Sequence, residues 1–373
     1  MPLPGLLESL GMPRRPVKAF VGLDGFVDEI VHVVGKRHDE DSYDRITTMA
    51  EYGQKIVNAA GLSLNIEIDT ILQKPGGNGT IFALGLMKYG ADIVYVGCTG
   101  KNAPDPVFRE LEEGAVIIGV ADPGRTDAME FDDGKIIRGK LSPINKLSWE
   151  AITEKIPVGQ FAAYMDQSDL ISFNNWTMIS HMNDIWGHIL DDVLPETRKS
   201  PSGKVMFFDL ADPEKREDGQ ILEALGLIKR FKACGYDTVL GLNRKEACEI
   251  YGVITGSRVY DFKEIELRFL CEALDGYMGI DCVIVHPVEN AACIKDGEYC
   301  CVYGPYCAKP VLSTGAGDNF NSGFVYGYVN RFGIEDCLLL GVASSGFYVR
   351  KGRSATLGEI REFIEAWGGS SST

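Results

Sequence analysis

The sequence contains too few basic residues for a protein that binds nucleic acid through its overall charge. Lys and Arg total 37 against 53 Asp and Glu, a formal net charge of -16 over 373 residues. Such a charge repels DNA, RNA and anionic lipid headgroups over a long range. The basic runs MPRRPVK and RKGR are too short to form a compensating groove. We therefore predict no nucleic-acid partner, and an anionic ligand must be held by backbone amides, helix N-termini and a metal ion.

Long apolar runs are also missing. No segment approaches the roughly twenty uncharged apolar residues of a membrane span. The N-terminal MPLPGLLESLGMPRRPVKAF places its basic residues after a broken apolar stretch, unlike a signal peptide. We therefore expect a cytoplasmic protein with no membrane partner, whose ten dispersed cysteines are reduced. One group of cysteines is disfavoured as a zinc site because it has no C-x-x-C pair and no following His: Cys293, Cys300, Cys301 and Cys307.

What the sequence does contain is a regular alternation of strand and helix patterns. Apolar, β-rich runs such as KAFVGL, ADIVYVG, KVMFFDL and DCVIVH are separated by longer segments of helical period such as ILEALGLIKRFKACG. Near-continuous apolar strands between helices are typical of a mostly parallel sheet covered on both faces. The fold class is therefore α/β, a three-layer α/β/α sandwich, and ligands should gather at the carboxyl ends of its strands.

Two β-rich stretches interrupt this alternation and suggest a second, smaller sheet. EIVHVVG continues as β structure after the first strand, and AVIIGVADPGRTDAMEFDDGKIIRGK contains short strands joined by turn signals. A small sheet over one end of the main domain is naturally a lid. We predict one domain over 17–368, a lid from about 25–35, 62–75 and 115–140, a helical insertion over 41–61 and a disordered tail at 369–373.

The segment VLSTGAGDNFNSGFVYGYVN carries the strongest chemical signal. An apolar run ends at Thr314, three small residues follow, and Asp318 opens an amphipathic helix. Glycines allow a tight turn, and the free N–H groups of a first helical turn attract a negative group. A transferring phosphoryl group has such charge in its transition state, and a nearby carboxylate could accept a hydroxyl proton. The alternative is that Asp318 only caps the helix.

This segment resembles the second signature of the ribokinase-like (phosphofructokinase-B type) carbohydrate kinase family, D-T-x-G-A-G-D followed by a helix. PGGNGTIFALGLMKYGADIVYVGCTG resembles the first signature. In the expected order, GLDGFVDEI resembles the first strand with its sugar-binding Asp, DLADPEKR a D-x-N-x-x-R-like stretch, LNRKEA the N-x-x-E motif, and VRKGRSA the segment near the adenine pocket. The likeness extends from about residue 18 to 363 and implies a ribokinase-like fold.

The resemblance implies a kinase that uses ATP and Mg²⁺. Asp318 would be the catalytic base, and the amides of Gly315, Ala316 and Gly317 would form an anion hole. Thr314 and Gly317 would contact the nucleotide. Asn243 and Glu246 would organise the nucleotide phosphates and the magnesium ion, Glu246 through water, since Mg²⁺ keeps several of its waters. The alternative for N-x-x-E is a helix cap with its capping-box partner, and both interpretations are compatible.

For a polyol substrate the resemblance points to two acids and a turn. Asp28 is favoured and Asp24 is second, because a carboxylate accepts two hydroxyl protons at a fixed spacing. The remaining candidates are the turn Gly76, Gly77 and Asn78, and, as weaker ones, Asn174 and Asn175 after the strand DLISF. The alternative for both acids is a solvated strand end.

Three positions depart from the family pattern. The Asp that normally begins D-T-x-G-A-G-D, which helps to hold a monovalent cation in relatives, is Leu312 here, so we expect no potassium activation. The nucleotide loop T-x-G-x-x-G is replaced by 286–290, where Pro287 removes an amide donor and Glu289 adds a negative charge. The Asn often found late in the first signature is Ile81, which weakens any inference about a furanose.

Three functions compete on these observations. The leading one is a kinase for a sugar or a nucleoside. A non-catalytic protein that binds a ligand or partner is favoured by Leu312 and the altered loop, and disfavoured by the intact run from Gly315 to Asp318. A nicotinamide-dependent dehydrogenase requires G-x-G-x-x-G after the first strand, which GLDGFVDE does not supply. Relatives often dimerise through an extended lid, so a homodimer is also predicted.

Overall fold

The computed structural model describes residues 3–257 and 261–370. Most of the predicted tail, 371–373, lies outside them, whereas Gly369 and Ser370 end the last helix. None of the helices in the described part is long and apolar enough to cross a membrane.

The strands of the described residues, in chain order, are β1 (Lys18–Leu23), β2 (Phe26–Arg37), β3 (Tyr43–Arg45), β4 (Ile68–Gly76), β5 (Asp92–Gly97), β6 (Ala115–Gly119), β7 (Gly124–Phe131), β8 (Gly134–Lys140), β9 (Leu170–Asn174), β10 (Val205–Asp209), β11 (Asp237–Leu242), β12 (Cys282–Val285), β13 (Asn290–Lys295) and β14 (Glu298–Tyr303).

The α-helices of the same residues are α1 (Leu3–Gly11), α2 (Met49–Asn58), α3 (Asn78–Lys88), α4 (Arg109–Glu112), α5 (Trp149–Lys155), α6 (Val158–Gln167), α7 (Met182–His188), α8 (Asp218–Ala233), α9 (Arg244–Thr255), α10 (Leu267–Met278), α11 (Ala316–Val329), α12 (Ile334–Lys351) and α13 (Leu357–Ser370).

The main sheet has nine strands within the described residues, in the order β14-β13-β12-β11-β10-β9-β1-β5-β6. The strands from β12 to β6 in this order are parallel, and β13 and β14 add an antiparallel edge. β9 and β10 are buried at every residue, as expected of strands covered on both faces. The predicted mostly parallel sheet is confirmed.

Apolar side chains pack against both faces of this sheet. Successive residues of a strand point to opposite faces, so Phe207 stacks on Phe82 of α3 with ring centroids 5.2 Å apart. Its neighbour Phe208 meets Trp186 of α7 on the other face, at 5.0 Å. One core lies under α5 to α10, and the second lies under α1, α3 and α11 to α13. The predicted three layers are confirmed.

The smaller sheet contains β3, β2, β7 and β8 in that order, and β4 also pairs with β2. β2 runs antiparallel to β4 and parallel to β7, and β7 and β8 form an antiparallel hairpin. The hairpin turn is held by the segment before and at the start of α2, because Asp132 N–H donates to Thr47 O at 2.8 Å and Met49 N–H donates to Asp133 Oδ1 at 2.8 Å.

The predicted bounds of the small sheet were partly wrong. Residues 115–119 form β6, which pairs in parallel with β5 at the edge of the main sheet. The short α4 between them continues the strand–helix alternation. Because 115–140 is β-rich throughout, its composition does not show that 115–119 belongs to the main sheet and the rest to the small sheet. Residues 62–67 form no strand, and β4 begins at Ile68. The predicted helix over 41–61 is α2, preceded by the short strand β3.

Candidate active site

The first glycine turn of the site lies between β4 and α3. Gly77 has φ +100°, a conformation that favours glycine. A Cβ on Gly76 would lie 2.2 Å from the carboxyl carbon of Asp28, so that neighbour also requires glycine. Asp24 accepts hydrogen bonds from the backbone amides of Asn78 and Gly79, both at 2.9 Å. The turn therefore joins the two acids of the GLDGFVDEI motif to the first turn of α3.

Asp24 and Asp28 occupy different environments. Asp24 is fully buried, and both of its carboxylate oxygens accept from α3. Burial raises the pKa of Asp24 to about 7, against the lowering effect of those amides. Asp28 lies on β2 beside Lys74 of β4 and Thr126 of β7. Its carboxylate is 3.9 Å from the Lys74 ammonium, and burial raises its pKa while Lys74 and a hydrogen bond to Thr126 lower it.

The two asparagines after β9 also differ. Asn175 Nδ2 donates to Asn78 Oδ1 at 2.7 Å, which brings it to the first glycine turn. Asn174 is buried, and its Oδ1 accepts from Ser172 Oγ at 3.2 Å and from the Asp209 amide at 3.3 Å. The sequence-predicted Asn78 and Asn175 are therefore brought together, whereas the Asn174 amide is engaged inside the sheet.

The second glycine turn precedes α11. Gly315 has φ +98° and caps this helix, and a Cβ there would lie 2.7 Å from Tyr348 Oη and 3.1 Å from Ile81 Cδ1. The Ala316 amide donates back to Ser313 O at 3.2 Å. The amides of Gly315 and Gly317 have no acceptor among the described residues. Free N–H groups at the start of a helix can receive an anion.

Asp318 lies in the first turn of the same helix, in the cleft between the two glycine turns, and is partly exposed. Protein surrounds it on most sides, and this burial raises the pKa of Asp318 well above its usual range. The neighbouring carboxylates of Asp209 and Asp24 raise it further, and the Lys74 ammonium opposes them. A group that brings positive charge to this cleft therefore favours the ionised, proton-accepting form of Asp318.

Asp209 was not among the predicted site residues. It ends β10 and accepts from the Ala211 amide at 2.7 Å and from Asn321 Nδ2 at 2.8 Å. Burial raises the pKa of Asp209 to about 6. The signal that could have identified it is its position at the end of an apolar strand, in a stretch already matched to a family motif.

Asn243 and Glu246 form the capping box of α9. The Asn243 side chain accepts from the Glu246 amide at 3.0 Å, and the Asn243 amide donates to Glu246 Oε2 at 2.8 Å. The capping interpretation is thus confirmed. Glu246 is buried, and burial together with the charge of Asp209 raises its pKa well above the usual range.

A cavity of about 340 Å³ lies beside the second glycine turn. The His286 ring forms part of its wall and stacks on Phe320 of α11 with a centroid separation of 4.6 Å. Burial lowers the pKa of His286 to about 4, so the ring is neutral near pH 7. The other lining residues are Asn243, Pro287, Val288, Gly304, Pro305, Tyr306, Cys307, Pro310, Ser313, Ala316, Gly317, Phe320, Val342, Ser345, Gly346 and Val349.

Leu312 replaces a carboxylate with an apolar contact. It packs with Ile30 and Ala128 of the small sheet and with Tyr348 of α12. Tyr348 Oη in turn donates to Thr314 O at 2.9 Å. The loop before α11 therefore packs against the small sheet and α12. Position 312 offers no oxygen ligand for a cation.

The donor set suits a hard divalent cation. Asp209, Glu246 and Asp318 are three acids with raised pKa values, and none of them forms an ion pair with a Lys, Arg or His among the described residues. Mg²⁺ prefers oxygen ligands and is commonly held by one or two carboxylates together with substrate phosphates. The oxygens of the three acids do not all lie within 4.8 Å of one another, so a magnesium ion here would be held by one or two of them together with water and nucleotide phosphates.

Comparison with known proteins gives the same picture over the full chain. Residues 8–367 match the family model of prokaryotic ketohexokinase. A ketohexokinase of Haloferax volcanii is 23% identical over 363 residues, which are 96% of this chain and 94% of that protein. An uncharacterized sugar kinase of Archaeoglobus fulgidus is 44% identical over 262 residues, 69% of this chain and 91% of that protein.

A solved structure supports the fold independently. The ribokinase of Arabidopsis thaliana in complex with ribose and ATP superposes with a TM-score of 0.61 at 16% identity, over 94% of this chain and 99% of that one. With the family match over 8–367, these findings decide between the enzymatic and the non-catalytic alternatives. The chain belongs to the prokaryotic ketohexokinase family, has the ribokinase-like fold and is an ATP-dependent carbohydrate kinase.

Proposed function

We propose that this enzyme transfers the γ-phosphoryl group of ATP to a hydroxyl group of a ketohexose. Asp318 accepts the hydroxyl proton, and the free amides of Gly315 and Gly317 receive the phosphoryl oxygens. The observation that carries this assignment is the juxtaposition of two unpartnered helix N-terminal amides with an acid in the same turn. Preorganised N–H donors beside a positioned base are what phosphoryl transfer requires.

For substrate recognition we assign Asp28 rather than Asp24. Both oxygens of Asp24 already accept from α3, which leaves Asp24 to hold the first glycine turn in place. Asp28 has Lys74 at 3.9 Å as its nearest ionic partner and retains acceptor capacity for two hydroxyl groups. Asn78 and Asn175, linked at 2.7 Å, add amide groups at the first glycine turn. A polyhydroxylated, uncharged substrate suits this set of groups.

The nucleotide occupies the 340 Å³ cavity beside Gly317 in this proposal. The apolar lining by Val342, Val349 and Phe320 suits a flat, weakly polar base. Asp209 and Glu246 would hold the accompanying magnesium ion, Glu246 through water. The ion supplies positive charge to the phosphate oxygens when it is bound.

An acceptor screen tests the assignment. The purified enzyme is incubated with ATP and Mg²⁺ and with fructose, tagatose, psicose or sorbose, and ADP release is measured. Glucose, ribose and adenosine are the matched non-ketohexose acceptors. We expect the highest kcat/KM for a ketohexose, and NMR of the product identifies the phosphorylated oxygen. Preferential phosphorylation of adenosine or ribose would contradict the proposed substrate and favour a nucleoside or pentose kinase of the same fold.

A further inference from the structure

Two lysines of the small sheet converge on the loop before α11. Lys135, at the start of β8, donates from Nζ to Thr314 Oγ1 at 2.6 Å and to Ser313 Oγ at 3.0 Å. Lys74, near the end of β4, donates from Nζ to Tyr348 Oη at 3.4 Å. Tyr348 Oη donates to Thr314 O, so Lys135 contacts the residue that precedes the second glycine turn directly and Lys74 is linked to it through Tyr348.

The Lys135 ammonium has no carboxylate in direct contact among the described residues. It forms no ion pair within 4 Å in the part of the chain that the structure describes, and its contacts there are neutral hydroxyl groups. Lys74 has a carboxylate only at 3.9 Å, from Asp28. Burial lowers the pKa of both lysines, whereas Asp28 raises the pKa of each, together with Glu130 at Lys135 and Asp318 at Lys74. Two partly buried ammonium groups without a close carboxylate contact can attract an anion.

The rest of the cleft lacks the positive charge that a phosphoryl group needs. The residues lining the nucleotide cavity include no Lys or Arg. The loop 286–290 contains Pro287, which has no amide donor, and Glu289. When ionised, Asp209 and Asp318 add negative charge. Coulomb attraction strengthens as the effective dielectric constant falls below that of water, so a partly buried lysine here has a large effect on a bound phosphate.

The fold also holds Lys135 rigidly. It follows Gly134 in the turn of the β7–β8 hairpin, and that turn is fixed by the bonds from Met49 to Asp133 and from Asp132 to Thr47. The apolar contact of Leu312 with Ile30 and Ala128 fixes the opposite side of the same interface. The small sheet therefore positions the Lys135 ammonium at the second glycine turn.

We propose that Lys135, which lies on the small sheet, is a catalytic residue that binds the transferring phosphoryl group. On nucleotide binding, its ammonium exchanges the hydroxyls of Ser313 and Thr314 for phosphoryl oxygens, opposite the free amides of Gly315 and Gly317. The bond from the γ-phosphorus to the β-phosphate oxygen then breaks as the bond to the substrate oxygen forms. The hydroxyl proton passes to Asp318, ADP leaves, and Lys135 keeps its protons. This inference rests on the proposed function of the site.

The test separates phosphate binding from turnover. Lys135→Met and Lys135→Arg are compared with Lys140→Met, a matched change on the same strand at a lysine that pairs with Asp127 at 3.2 Å. Calorimetry measures binding of the non-hydrolysable analogue AMP-PNP and of AMP, both with Mg²⁺. We expect Lys135→Met to bind AMP-PNP at least tenfold more weakly and AMP unchanged, with kcat reduced at least tenfold and sugar KM unchanged. Lys135→Arg should retain most AMP-PNP binding.

Two results would overturn the proposal. One is AMP-PNP affinity and turnover in Lys135→Met equal to those of the wild type. The other is an equal loss in Lys140→Met, which would assign the effect to the small sheet in general. Because the binding measurements use no sugar, they remain decisive if none of the tested ketohexoses is phosphorylated. In that case the proposed substrate fails, and the role of Lys135 is judged on AMP-PNP alone.

Discussion

The two glycine turns of the site share one backbone conformation but have different functions. Each has a glycine with φ near +100°, Gly77 or Gly315, directly before an α-helix. At the first turn, the amides of Asn78 and Gly79 donate to the buried carboxylate of Asp24. At the second turn, the amides of Gly315 and Gly317 have no acceptor among the described residues.

The two turns differ in which group accepts hydrogen bonds from the helix N-terminus. At the first turn the acceptor is the carboxylate of Asp24, between β1 and β2, so this turn is a fixed structural element that positions Asn78. The second is left for a ligand, and the nearest acid, Asp318, lies within its own first turn instead of capping it from outside. A glycine-rich helix start therefore indicates an anion site only where the chain does not supply the anion itself.

The largest expected effect is that of Asp318→Asn, which keeps the size of the side chain but removes the proton acceptor. If the second turn is catalytic, kcat falls by about a hundredfold or more, the usual range for a general base being roughly 10²–10⁴. The affinity for ATP and the melting temperature change little, because the amides of Gly315 and Gly317 remain and the N-cap of α11 is Gly315, which is unchanged. Single-turnover phosphorylation and thermal unfolding measure the two quantities.

Asp318→Ala provides the control for a purely structural role. An acid that only complements the first turn of α11 predicts a loss of about 0.3–1 kcal/mol in the free energy of unfolding, with normal turnover in the folded fraction. Near-normal turnover in Asp318→Asn would contradict the catalytic role and make the two turns equivalent structural elements.

Alanine at each of the two turn glycines compares the turns directly. An L-residue at such a φ costs about 1–2 kcal/mol in either place. The new Cβ would lie 2.7 Å from Asp24 Oδ2 in Gly77→Ala and 2.7 Å from Tyr348 Oη in Gly315→Ala. We expect similar losses of stability by urea unfolding. Turnover per folded molecule should fall about tenfold or more only in Gly315→Ala, since a displaced anion-hole donor costs catalysis. Equal turnover losses would remove the distinction.

The sequence predicted what depends on residues close together in the chain. The run from Gly315 to Asp318 is local, and its turn, helix start and acid follow from neighbouring residue types. Lys135 could not be assigned because its partner Thr314 is more than a hundred residues away and only the folded sheets bring them together. The strand end at Asp209 offered a local signal, but its contact with Asn321 is equally remote in the chain. The same reason explains β6. Its residues favour a strand in either sheet, and only the pairing with β5 assigns that strand to the main sheet.

Asp24→Asn tests whether the first turn is held by a carboxylate. Asn offers one acceptor oxygen and an NH₂ group, so one of the two α3 amides loses its partner, at a cost of about 1–3 kcal/mol in the free energy of unfolding. The folded pKa of Asp24, about 7, is above its unfolded value of roughly 3.9. Its protonation therefore stabilises the fold fully below about pH 4, and this contribution is lost as the pH rises through about 7.

Urea unfolding of the wild type and Asp24→Asn at pH 5, 6, 7 and 8 checks that sign. We expect the stability advantage of the wild type over Asp24→Asn to shrink as the pH rises. A constant advantage from pH 5 to 8 would mean that the pKa of Asp24 is not raised in the folded protein. The first turn would then hold an ionised carboxylate throughout this range.

The smallest expected effect is that of potassium on turnover. A monovalent cation needs oxygen ligands, whereas Leu312 packs with Ile30, Ala128 and Tyr348 beside the second glycine turn. Initial rates in sodium, potassium and tetramethylammonium salts of equal ionic strength should therefore agree. Leu312→Asp should not restore activation, because it places a carboxylate in an apolar contact and weakens the docking of the small sheet. A large, potassium-specific increase in the wild type would show that other oxygens near the second turn bind the cation.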